Sequence, residues 1–216
     1  MTRRGLALAA ILTLVPVMVR AQERRAQFTV GATAAQQIVQ SMVEPAHSRF
    51  TGTLLGVEGG MVSDRLLLRV RYAEGRVNPK SGTTGDSRDV VEGEALVGFR
   101  VLPWLTLWGG PSARAYTMGE SDQRWIIWTA RAAARGALLP GRLQSFVELY
   151  GAFSGSVGDP ALHAGGRGLN GGLELRLSQA RPFWGRLGYK MESAHATGMR
   201  ETVETFSFSL IYGLPQ

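Results

Sequence analysis

The stretch Thr205-Phe206-Ser207-Phe208-Ser209-Leu210-Ile211-Tyr212 decides the fold. Phe206, Phe208, Leu210 and Tyr212 fall on one side of an extended chain, and Thr205, Ser207 and Ser209 on the other. Successive side chains of a strand point to opposite faces, so this period of two marks a strand with two unlike faces. The same alternation recurs upstream. Leu169, Leu173, Leu175 and Leu177 oppose Asn170, Glu174, Arg176 and Ser178. Phe183, Leu187, Tyr189 and Met191 oppose Arg186, Lys190 and Glu192. In 66–72 and 91–101, apolar Leu66, Leu68, Val70, Tyr72, Val91, Ala95, Val97, Phe99 and Val101 oppose Arg69, Arg71, Glu92, Glu94 and Arg100. Weaker versions at 27–35, 50–61, 104–117, 124–138 and 143–154 bring the number of strands to ten. The least regular is 104–117, where Pro111 cannot donate to a ladder and would mark a parity-shifting bulge.

The connections take turns in length. Tight ones fall at 62–64, 102–103, 139–141 and 179–181, and longer polar ones at 36–49, 75–89, 155–168 and 194–201, with a shorter one near 119–123. That rhythm describes an up-and-down antiparallel meander, and the fold class read from it is all-β. An eight-stranded barrel with an ordered N-terminal extension is the alternative count.

Residues 1–21 stand apart. Arg3 and Arg4 precede an uncharged run from Gly5 to Val19, and Val19-Arg20-Ala21 places small residues at the −3 and −1 positions of a signal-peptidase site. The run is short for a membrane helix and carries Pro16. The expected division is therefore a cleaved signal peptide, 1–21, and a barrel, 22–216. Loss of Arg3, Arg4 and Arg20 lowers the formal charge from +7 to +4, and export argues against nucleic acid as a partner. The absence of cysteine excludes disulfide scaffolds, thiolate metal sites and thiol nucleophiles.

A two-faced sheet can close around an apolar interior, as in a secreted lipocalin-like barrel, or around a polar lumen inside a membrane. The charges at mid-strand, of both signs and interspersed, favour the membrane. So do aromatics towards the strand ends: Phe28, Phe99, Phe183 and Tyr212 at the short-turn rim, Phe50, Tyr72, Trp128 and Phe153 at the other. Closure removes sheet edges that hydrocarbon could not satisfy.

The signal peptide, the unit Val97-Gly98-Phe99-Arg100-Val101-Leu102-Pro103-Trp104-Leu105 and the terminal Phe206–Tyr212 together resemble the small bacterial outer-membrane β-barrel proteins, the broad OmpA/OmpW-like group. The resemblance is architectural and covers most of 27–213. It implies residence among outer-membrane lipid and lipopolysaccharide, insertion by the barrel assembly machinery, both termini in the periplasm, and loops outside. Such chains commonly end on an aromatic residue; here Gly213-Leu214-Pro215-Gln216 follows Tyr212.

Parity turns Glu58, Arg69, Arg71, Glu92, Glu94, Arg100, Arg114, Arg131, Arg135, Glu148, Glu174, Arg176, Arg186, Lys190 and Glu192 inward. Paired across neighbouring strands they would plug the lumen. Unpaired they would line a narrow channel preferring anions, since nine are basic and six acidic. No catalytic, cofactor-binding or metal-ligating residue is assigned. The enzymatic alternative is a hydrolase at the loop rim, built on His195 with Glu192 and Ser193, or on His163 with Asp159. It lacks a nucleophile elbow or zinc-protease motif, and His47, His163 and His195 are all expected in loops. The glycines Gly165, Gly166, Gly168, Gly171 and Gly172 read as a flexible loop entering a strand of small residues.

Overall fold

The computed structural model describes residues 26–43, 46–83, 86–119, 121–158 and 162–214. The proposed signal peptide lies outside them. Ten antiparallel strands form one closed barrel in which each strand pairs with its sequence neighbours and β1 closes on β10. They are β1 (Gln27–Val43), β2 (Ala46–Ser63), β3 (Leu66–Pro79), β4 (Arg88–Leu102), β5 (Leu105–Met118), β6 (Ser121–Leu139), β7 (Leu143–Val157), β8 (Leu162–Ser178), β9 (Phe183–Ala196) and β10 (Met199–Gly213). The eight-stranded alternative falls away.

Followed once around, the pairings run from Phe28 through Met61, Leu68, Val97, Gly109, Ala130, Gly151, Arg167, Ser193 and Thr202 back to β1 at Gln40, a climb of 12 residues. This stagger belongs to strands tilted by roughly 40°. Strands of 14 to 19 residues exceed the ~9–11 that a bilayer needs. The surplus is at the end away from the tight turns. There the outer face turns polar, with Gln40, Arg49, Arg76, Asp89 and Arg200 exposed, whereas Phe28, Val97, Phe99, Leu175, Leu187 and Phe208 form an exposed apolar belt nearer those turns.

Four expectations need correction. The long connections are mostly strand: backbone pairing continues through 36–43, 46–49, 75–79, 162–168 and 194–196, leaving 80–87 as the longest break. The histidines accordingly stand on strands, His47 on β2, His163 on β8 and His195 on β9. Pro111 shifts nothing, because Val97↔Gly109 and Glu94↔Ser112 keep one register on either side of it. Register shifts occur elsewhere, one of them on β7, where Trp128 pairs Ser154 and Thr129 pairs Ala152, leaving Phe153 unpaired and 66% exposed. Finally, Phe50 does not join an outer aromatic girdle. It is wholly buried inside the barrel, with the Arg88 guanidinium 3.8 Å from its ring centroid.

Candidate functional site

The barrel interior contains three successive levels. At the end away from the tight turns lies an apolar layer: Val39, Phe50, Val77, Val90, Tyr116, Trp125, Val157, Ala164, Ala194 and Val203, all buried and packed as one cluster with Leu54. Each of the ten strands contributes one of these residues, in order from β1 to β10. These side chains form a ring, one per strand, that packs across the interior at this level.

Beneath it, Arg114 on β5 is the hub of a charged level. Its Nε donates to Glu92 on β4 at 2.6 Å, Nη1 to Glu201 on β10 at 3.0 Å, and Nη2 to Glu192 on β9. Tyr116 Oη donates to Glu201 at 2.9 Å, Tyr150 Oη to Glu192 at 2.8 Å, and Lys190 Nζ stands 2.6 Å from Glu192. Three carboxylates converging on one guanidinium could not share a dry site without it, since each buried charge needs a partner to offset its lost hydration. Glycine makes room for this level: Gly168 on β8 lies against the Tyr150 ring, and a Cβ there would collide with the phenol.

The next level continues through the mid-barrel. Arg69 on β3 reaches Glu148 on β7 at 3.0 Å and Glu94 at 3.2 Å; Arg131 on β6 meets Glu94 at 2.6 Å and Glu148 at 3.0 Å. Arg71 holds Glu58 at 3.0 Å, while Arg186 on β9 spans to Glu58 on β2 at 3.1 Å and to Glu174 at 2.7 Å. Several of these pairs join strands that are not neighbours, so they cross the interior rather than run along the wall.

Three inward residues of the sequence set stand at or beyond the margin of this web. Arg135 is 3.8 Å from Glu174 with its side chain 53% exposed, and Arg176 turns to the carbonyls of Ser178 and Gln179. Arg100 makes no ion pair or side-chain hydrogen bond within the described residues. Around Arg100 and Arg135 lies a cavity of about 430 Å³ whose wall includes Pro103 and Trp104 of the β4–β5 turn, so it belongs to the short-turn end.

Sequence parity missed Glu201 and Arg88, both facing inward, because they sit in segments read as loops. The available signal was that Glu201, Val203, Thr205, Ser207 and Ser209 continue one face of the final strand upstream. The histidines stand apart from the charged levels. All three are exposed, His195 lies over Gly165, and none is hydrogen-bonded to a carboxylate within the described residues. Glu192 faces inward beside Arg114, away from His195, and Asp159 lies outside the described residues. No group of three metal-ligating side chains occurs among the described residues.

No protein-family model and no curated protein matches this sequence. Among solved structures, it is similar to the outer membrane protease OmpT from Escherichia coli: TM-score 0.53, 8% identity, covering 88% of this chain and 96% of that one. An outer membrane channel from Pseudomonas putida F1 gives TM-score 0.49 and 11% identity over 91% and 100% of the two chains. Neisserial surface protein A gives 0.41 and 14% over 87% and 98%. The fold is thus that of the small outer-membrane β-barrels, and at these identities the likeness is of fold alone.

Proposed function

We propose that this chain is an integral outer-membrane barrel with a sealed lumen, serving as a rigid membrane-anchored scaffold that lifts a polar strand collar above the lipid. The observation that carries this reading is the apolar layer contributed by all ten strands, backed by the Arg114 hub beneath it. An exposed apolar belt over strands long enough to cross a bilayer supports the membrane setting. Export through cleavage after Ala21, and contact of the collar with lipopolysaccharide, follow from the same reading. Insertion would use the assembly machinery common to such barrels.

Twelve of the fifteen inward charges then serve as an internal brace rather than a conduction path. Opposite charges already satisfy one another across the interior, so a passing ion would have to displace a partner. The test is conductance of the refolded chain in planar bilayers, with folding checked by heat-modifiable migration on a gel. Well-folded protein is expected to leave the bilayer silent. Discrete conductance steps would overturn the sealed reading.

A further inference from the structure

The cavity of about 430 Å³ at the short-turn end is walled by charge of one predominant sign. Arg69, Arg71, Arg100, Arg135 and Arg186 line it against only two carboxylates, Glu148 and Glu174. Those carboxylates are already committed. Glu148 is shared by Arg69 and Arg131, and Glu174 accepts from Arg186 at 2.7 Å and from Gln144 at 2.6 Å. Arg135 reaches Glu174 only at 3.8 Å, and Arg100 reaches no acid at all within the described residues.

One guanidinium without an acid, on β4, and one with only a long ion pair, on β6, therefore stand around one concave space. Trp104, Trp108 and Phe146 supply apolar wall, which lowers the local dielectric and strengthens attraction for a counter-charge. Guanidinium groups present planar, forked donors that match the oxygens of phosphates and carboxylates. The volume falls within the range of small-molecule sites.

The geometry points to a blind anion-binding cup at the short-turn end, selective for small oxyanions carrying two or more negative charges, with Arg100 and Arg135 as the recognising cations. The sealed-lumen reading enters only in calling the cup blind. Conductance steps would unseat that reading while leaving the binding result to judge the cup.

Calorimetry of the folded full chain in detergent micelles at low ionic strength tests it, with pyrophosphate and citrate as separate probes. One saturable site is expected, with the stronger probe telling phosphate from carboxylate preference. Glucose should not bind. R100Q/R135Q should weaken the preferred anion at least tenfold while keeping heat-modifiable migration, because Arg100 makes no ion pair among the described residues and Arg135 only a long one to Glu174. R49Q/R200Q, on the outer collar, should leave the isotherm unchanged. Absence of binding by both probes, equal binding by R100Q/R135Q, or loss on R49Q/R200Q would each overturn the proposal.

Discussion

The two ends of the barrel interior solve the same space in opposite ways. At the collar end, one buried residue per strand meets in an apolar ring, and the nearest charges are held by an arginine with three acidic partners. At the short-turn end the wall holds more arginine than glutamate, and a cavity of about 430 Å³ remains. Buried charge is tolerable only when matched. The contrast teaches that charge is densely matched beside the apolar ring, and that the less matched charge stands around the cavity.

The sharpest way to break this contrast is at its hub. Arg114→Ala strands Glu92, Glu192 and Glu201 together in the interior without their shared cation. Removing one partner of a buried charge group costs about 3–5 kcal/mol. Urea titration of the folded chain in vesicles, read by gel mobility, should show a midpoint far below that of the parent. A midpoint within error of the parent would mean that water already reaches this level and that the seal above it leaks. Phe50→Ala comes next, at about 3 kcal/mol, the lower end for truncating a buried phenylalanine. It also removes the ring beneath the Arg88 guanidinium. The same titration checks it, and a negligible loss would show that the apolar layer is loosely packed.

The sequence displayed the outer face of this barrel far better than its inner one. Lipid imposes a single demand, so Phe206, Phe208, Leu210 and their counterparts recur on strand after strand and made strand and parity legible. The interior changes its demand with depth. Val39, Val90 and Trp125 each adjoin an outward apolar neighbour, Ile38, Val91 and Ile126, and such doublets break the period of two. Where the alternation falters the chain reads as passing into long connections, and this conceals both the layer and the inward Glu201 and Arg88. Phe50 failed for the same reason, an aromatic near a rim being compatible with either face. Pro111 misled differently. Its lost donor predicts a bulge, yet the wall keeps register around it, and a bulge occurs instead opposite Trp128 and Thr129, where no residue type announces it.

The smallest effect belongs to the other end, and its smallness is informative. Arg100→Gln deletes a charge that no described acid balances, from a wall already rich in arginine. Nothing is left unpaired, and the glutamine retains part of the stem. A substitution away from packed and paired groups changes stability within about 0.5 kcal/mol. The urea midpoint should therefore coincide with that of the parent, and like-charge relief from Arg135 and Arg71 would move it, if at all, upward. A clear destabilisation would instead show that Arg100 is held by a partner within the barrel. The two ends would then differ in geometry alone and no longer in the pairing of their charges.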